Sequence, residues 1–173
     1  MASGKSSVVV RCDTPETCPV VSACLHGGRV PCLDVCRWHD QKLRICDELE
    51  TIADGLPAKV DRLKCLLVAN ELLPLLRMSH AYEEEYVFPA FASDTTHVAS
   101  RVASVRRLKA EHVEDECSAQ DLTDTLLAIG HGGAVANPEA LGFMLRGFFD
   151  NMRRHVAFER EHVLSTIPAR VLD

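Results

Sequence analysis

Three histidines in this sequence are each followed, four residues later, by a glutamate. The pairs are His80 with Glu84, His112 with Glu116, and His155 with Glu159. Residues i and i+4 lie on one face of a helix, about 6 Å apart along its axis. An imidazole and a carboxylate presented in this way can bind the same metal centre, and mixed nitrogen and oxygen ligands suit iron, manganese or zinc. The pattern therefore predicts a metal site.

A single pair of this kind has a simpler interpretation, because polar residues at i and i+4 often pair on an exposed helix surface. These pairs, however, are in phase with the apolar stripes of their own segments, as with Leu76 before His80 and Met152 before His155. Inward imidazoles and carboxylates carry a heavy desolvation cost unless they are paired or bound to metal. This favours the metal site, to which His39 in the preceding segment adds a further candidate ligand.

Four helices are predicted to position these residues. Apolar periodicity indicates helices over about residues 32–53, 61–92, 98–129 and 138–167. The links between them contain glycine, proline and capping residues, which end and begin helices. No segment has the pattern of a strand, so the fold class is all-α. Long helices with short links favour an up-down-up-down four-helix bundle.

The candidate ligands also agree in height along a bundle. His39 lies about 15 residues before the first link and His80 about 19 residues after the second helix begins, a difference of about one turn at 1.5 Å per residue. Glu84 and His112 lie at similar distances on either side of the second link. Glu116 and His155 lie in the same way on either side of the third link. In an antiparallel bundle the four sets therefore fall in one layer.

This arrangement resembles the hemerythrin-like (HHE) family. The segments 80–89 and 155–159 are particularly similar to its second- and fourth-helix signatures, and the resemblance covers about residues 32–168. It implies a centre of two iron ions bridged by an oxo or hydroxo group. By position, the resemblance assigns His39 and His80 to one iron, His112, Glu116 and His155 to the other, and Glu84 and Glu159 to bridges between them.

Glu116 departs from the oxygen carriers of the family, which have a histidine there, and HxxxE replaces their HxxxxD on the fourth helix. As a ligand, Glu116 would add negative charge, favour the ferric state and lower the reduction potential. As an alternative, Glu116 accepts a hydrogen bond from a ligand histidine. The resemblance with this change implies binding or sensing of oxygen, peroxide or nitric oxide. Catalase-like decomposition of peroxide and a metal-stabilised iron-handling or interaction module stay open.

Length and charge exclude some other classes. At 173 residues with a net charge of −6, the chain suits a single domain and does not favour nucleic acid or an anionic membrane as its main partner. No apolar run reaches the roughly 20 residues of a membrane span, and no signal peptide is expected. We predict a cytoplasmic protein whose partner is a small molecule (O2, H2O2 or NO). The sequence identifies no protein partner.

The cysteines mark a second region. We divide the chain into an irregular, cysteine-rich leader at residues 1–31 and the bundle at 32–168. No two of the eight cysteines form a CxxC motif, so a structural zinc site has weak support, and reduced thiols are expected in the cytoplasm. Cys46 and Cys65 are interpreted as small core residues. Glu83 and Asp115 are expected to face solvent.

Overall fold

The computed structural model describes residues 31–93 and 97–167, with side chains from Asp34 onward. Helix α1 spans Pro31–Gly55. Helix α2 consists of an α-helical segment Arg62–Tyr82, a π-helical turn Glu83–Val87 and a short α-helical segment Phe88–Ala92. The predicted bounds of these two helices are confirmed to within two residues.

Helix α3 spans Val98–Gly130. Helix α4 begins with the α-helical segment Pro138–Phe158 and continues through a π-helical turn Glu159–Val163 and a 3₁₀ turn Leu164–Thr166. The predicted bounds of α3 and α4 also agree to within about one residue. The prediction did not include the two π-helical turns.

Local chemistry explains where the helices begin and end. The side chains of Asp61 and Asn137 accept hydrogen bonds of 3.0 Å from the backbone N–H groups of Lys64 and Ala140. These are N-caps, which satisfy backbone donors that have no partner inside the helix. After α3 the chain passes through Gly132 at φ +103°, a conformation that favours glycine because it has no Cβ.

The four helices form a ring in which each packs against two neighbours. Helix α1 contacts α2 and α4, and α3 contacts α2 and α4. Consecutive helices are thus adjacent and joined by short links, as in an up-down-up-down four-helix bundle. The all-α fold class is confirmed, and no strand occurs in the described part of the chain.

The core consists of two apolar clusters. The larger one contains Ile45, Leu76, Leu126 and Leu145 among many others. The smaller cluster lies toward the other end of the bundle and comprises Val35, Val87, Phe88, Phe91, Leu108, Val163 and Leu164. On α1, α2 and α3 the candidate ligands lie between these two clusters, and on α4 His155 and Glu159 flank Val156 at the edge of the larger one. They therefore form a polar layer inside an apolar bundle.

Two predictions outside this layer can be compared with the structure. Cys46 and Cys65 are fully buried in the larger cluster, so their interpretation as core residues is confirmed. The predicted leader lies almost entirely outside the described residues, and the domain boundary stays a prediction. Among the described helices, none combines the length and the apolar character needed to cross a bilayer.

Candidate metal centre

Four histidines, one from each helix, meet in the polar layer. The most exposed of them, His155, has only 6% of its surface accessible to solvent. The rings of His80 and His112 are stacked, with centroids 3.8 Å apart and an interplanar angle of 3°. The ring of His155 lies 5.2 Å from that of His112. The structure thus brings together side chains that are far apart in the sequence.

Two buried carboxylates join the histidines. Glu159 was a predicted site residue, and its Oε2 lies 2.9 Å from His39 Nε2 while its Oε1 lies 3.4 Å from His155 Nε2. The other is Glu83, whose Oε2 lies 3.3 Å from His112 Nε2. Glu83 has no exposed surface, so the expectation that it faces solvent was wrong. Both carboxylates face the centre of the layer.

The inward position of Glu83 has a local cause. Residues i+3 and i+4 both share a helix face with residue i, so His80 can have either Glu83 or Glu84 beside it. Two groups that neighbour Glu83 hold it inside, since Lys42 Nζ and Ser79 Oγ donate to its carboxylate. A π-helical turn starts at Glu83, and the other one starts at Glu159. Such turns are frequent at functional sites.

Glu84 and Glu116 lie on the outer side of the histidine rings. Glu84 Oε1 accepts from Nδ1 of His112 at 3.0 Å, and Glu116 Oε1 accepts from Nδ1 of His80 at 3.0 Å. About a third of each carboxylate side chain is exposed (35% and 31%). Glu116 therefore accepts a hydrogen bond from a candidate ligand histidine, which is the alternative role predicted for it. Direct metal binding by Glu84 or Glu116 stays a prediction.

These outer bonds determine which ring nitrogen is available for a metal. A carboxylate that accepts from Nδ1 fixes the proton there and leaves the Nε2 lone pair directed inward. Nε2 of His80, His112 and His155, together with Glu159 Oε1, is buried and has no hydrogen-bond partner. The contacts of 3.3–3.4 Å noted above do not have hydrogen-bond geometry. Unpaired buried polar atoms are costly, and a metal ion would satisfy them.

The ligand atoms are also close enough to share an ion. One atom each from Glu83, His112, His155 and Glu159 lies within 4.8 Å of the others. Two imidazoles and two carboxylates form a donor set that suits iron, manganese or zinc. The side chains present therefore fit a buried metal site.

His39 differs from the other three histidines. Arg160 Nε donates to its Nδ1 at 3.4 Å, which places the ring proton on Nε2. That nitrogen then donates to Glu159 Oε2. For His39 to bind a metal through Nε2, this proton must leave.

Burial and neighbouring charge set the protonation states. Burial is the main cause that lowers the pKa of His80 to about 2, and the nearby charges of Lys42 and His112 contribute to the same shift. Burial and Glu83 raise the pKa of Glu159, but the close contact with His155 and the hydrogen bond with His39 outweigh them and lower it to about 2. A neutral imidazole and an ionised carboxylate are the forms that bind metals.

The pKa values of Glu83 and His112 depend on each other. Burial raises the pKa of Glu83, but Lys42, His112 and His39 outweigh it and hold the pKa well below its ordinary value. Burial lowers the pKa of His112, while the close contact with Glu83 and the hydrogen bond to Glu84 raise it by more. His112 therefore holds a proton more readily than His80, and metal binding there releases it.

Lys42 is the residue that sequence reasoning missed. Its side chain is completely buried, and Nζ lies 2.9 Å and 3.2 Å from the two oxygens of Glu83. The signal was present in the sequence: Lys42 follows His39 by three residues and precedes the core residues Ile45 and Cys46, so it lies on the inward stripe of α1.

A polar cleft leads to the layer between α3 and α4. It has a volume of about 430 Å³ and is lined by Arg107, Glu111, Glu114, Asp115, Asn151, Arg154, His155 and Phe158. His155 Nδ1 lies 3.4 Å from Glu111 and 3.7 Å from Asp115. Asp115 is only 9% exposed, so its predicted solvent position was wrong, and burial raises its pKa.

Comparison with known proteins gives one finding. The family model described as the hemerythrin HHE cation binding domain matches residues 37–167, which include all four buried histidines and both buried glutamates. Neither the curated proteins nor the solved structures give a significant match.

Proposed function

This chain belongs to the hemerythrin HHE cation-binding family, and from that premise we propose that it is a non-haem di-iron protein that binds or senses oxygen, hydrogen peroxide or nitric oxide. One observation carries the proposal. Four imidazoles and two carboxylates converge in a buried layer, and four of their nitrogen and oxygen atoms have no hydrogen-bond partner. A layer of this kind has no structural advantage over apolar packing unless a cation neutralises it.

The proposed ligands are the histidines of all four helices with Glu159 as one bridge. The second carboxylate comes from α2, where family position favours Glu84 and burial favours Glu83. When bound, iron supplies a redox-active centre that recognises a small oxidant or gas. The chain itself holds the imidazole rings in place through the Nδ1 bonds to Glu84 and Glu116 and excludes bulk water.

The cleft beside His155 supports a small-molecule partner. Because it is lined mainly by charged groups, it suits a small polar molecule better than an apolar one. Hydrogen peroxide is such a molecule, and its turnover is the second candidate function. The cytoplasmic address and the expectation of neither nucleic acid nor membrane as partner stay predictions, as does the iron-handling alternative.

Metal analysis combined with optical spectroscopy tests the proposal. We expect about two irons per chain and near-ultraviolet absorption bands that dithionite bleaches. His80→Ala removes a donor with a free Nε2 and should lower the iron content, whereas His131→Ala, at an exposed position after α3, should leave it unchanged. Purified protein that takes up no iron after anaerobic reconstitution would rule the proposal out.

Peroxide turnover is tested separately on the iron-loaded protein. The enzyme hypothesis expects rapid oxygen release from hydrogen peroxide, lost in His80→Ala and retained in His131→Ala. Iron-loaded protein that changes its spectrum with peroxide but releases no oxygen would favour the sensor over the enzyme.

A further inference from the structure

The ion pair between Lys42 and Glu83 lies inside the proposed metal site. Neither side chain has exposed surface, and Lys42 Nζ is within hydrogen-bond distance of both carboxylate oxygens of Glu83. Ser79 Oγ donates to Glu83 Oε1 at 2.8 Å. A lysine is almost never fully buried without a partner, so the pairing explains how Lys42 is tolerated in the core.

The same carboxylate also faces the metal donors. Glu83 Oε2 lies 3.3 Å from His112 Nε2, and Glu83 belongs to the group whose ligand atoms lie within 4.8 Å of one another. Two cations can therefore neutralise Glu83: the ammonium of Lys42, which is always present, and a bound metal ion. The ammonium of Lys42 weakens the attraction of the carboxylate for a metal ion, and a metal ion weakens its attraction for the ammonium. The reason is that two positive charges close together in a buried site repel.

Helix α1 also provides a hydrogen-bond donor for the second inward carboxylate, that of Glu159. His39 Nε2 donates to Glu159 Oε2 at 2.9 Å, and Arg160 holds His39 in the tautomer that allows it. Helix α1 thus supplies a donor to each inward carboxylate. Helices α2, α3 and α4 contribute the Nε2 atoms that have no partner.

We propose that Lys42 is a resident counter-ion that keeps Glu83 folded into the core before metal binds and competes with the metal for that carboxylate. The inference rests on the proposed metal site. Lys42 is a positioning residue: it acts on the metal through Glu83. It makes the apo-protein more stable and the metal affinity lower than they would be with an apolar side chain.

The Lys42→Met variant separates these two effects. Methionine has a similar length and no charge, so Glu83 loses its partner in the apo-protein. Breaking a buried pair is strongly destabilising, and we expect the Tm of the apo-protein to fall by about 10 °C. Affinity for Fe²⁺, measured anaerobically against a chromophoric chelator, should rise at least tenfold. The partly exposed pair of Lys64 and Glu48, away from the polar layer, supplies the control variant, Lys64→Met, in which both quantities should stay near wild type.

A second variant covers the case in which Lys42→Met does not fold. The double substitution Lys42→Met/Glu83→Gln removes both charges, so apo-protein stability should recover, while Fe²⁺ affinity should fall below that of wild type. A Lys42→Met protein that binds Fe²⁺ as weakly as wild type or more weakly overturns the inference, as does a double variant that keeps wild-type affinity. Failure of wild type and all variants to bind Fe²⁺ would instead refute the proposed metal site and this inference with it.

Discussion

At the residue scale, the partner at Nδ1 decides what each buried histidine can do with Nε2. Carboxylates at Nδ1 of His80 and His112 leave Nε2 as an acceptor, whereas Arg160 at Nδ1 of His39 makes Nε2 a donor. The two tautomers of the imidazole ring thus give Nε2 opposite roles. Unlike His80 and His112, His39 must therefore lose the proton from Nε2 before that nitrogen can bind a metal.

Glu116 offers a test of this principle. If it acts by holding His80, Glu116→Gln should change Fe²⁺ affinity by no more than a few fold, because the amide oxygen still accepts from Nδ1. Glu116→Ala should lower affinity by about 10- to 100-fold, the usual cost of losing an outer partner. Competition titration measures both.

Direct ligation by Glu116 predicts a different result. An amide is a much poorer metal ligand than a carboxylate, so Glu116→Gln would then lose nearly as much affinity as Glu116→Ala. Glu114→Gln, at an exposed position between His112 and Glu116 on the same helix, is the matched control and should bind like wild type.

Sequence reasoning could identify which histidines are inward, and Glu159 with them, but not which glutamate of α2 is inward. The histidines are fixed by apolar neighbours at helical spacing on both sides, as with Leu76 and Val87 around His80. The choice between Glu83 and Glu84 depends on Lys42, which pairs with Glu83 from α1, in addition to Ser79 one turn earlier on α2. Such long-range pairing is not contained in the periodicity of a single helix.

At the element scale, the helices were predictable because local chemistry agrees with the fold. Caps such as Asp61 and Asn137 and the glycines after α3 fix the ends independently of packing. The π-helical turns were not predictable in this way. Each begins at an inward glutamate, and the backbone N–H five residues later bonds to that glutamate's carbonyl oxygen, so the wider turn belongs to the tertiary arrangement of the layer.

At the scale of the whole molecule, the polar layer separates two apolar clusters that supply the folding energy. The clusters hold the helices at fixed distances, so the layer can be assembled even though its own groups are costly to bury. The two apolar clusters therefore explain how the bundle can be stable while nitrogen and oxygen atoms without hydrogen-bond partners are buried at its centre. It also makes the protein sensitive to the protonation of that layer.

Acid is expected to destabilise the apo-protein. His80 in the folded chain has a pKa of about 2, below its ordinary value of 6.5, and Glu159 one of about 2, below 4.5. The unfolded chain therefore binds protons that the folded chain does not, from His80 below about pH 6.5 and from Glu159 as well below about pH 4.5. The free energy of unfolding should fall as the pH falls through this range.

The raised pKa of His112 acts in the opposite direction, because folding favours its protonation. Asp115, whose pKa is also raised, opposes the loss of stability in acid as well, whereas Glu83, whose pKa is held low, adds to it. We expect the loss of stability to prevail. Urea denaturation of chelator-treated protein at pH 7.5, 5.5 and 4.5 measures the balance, and His131→Gln, which alters an exposed ring, should reproduce the wild-type profile. A free energy of unfolding that stays constant or increases toward pH 4.5 would show that the layer is already protonated in the folded chain, and that its histidines are not held ready for a metal.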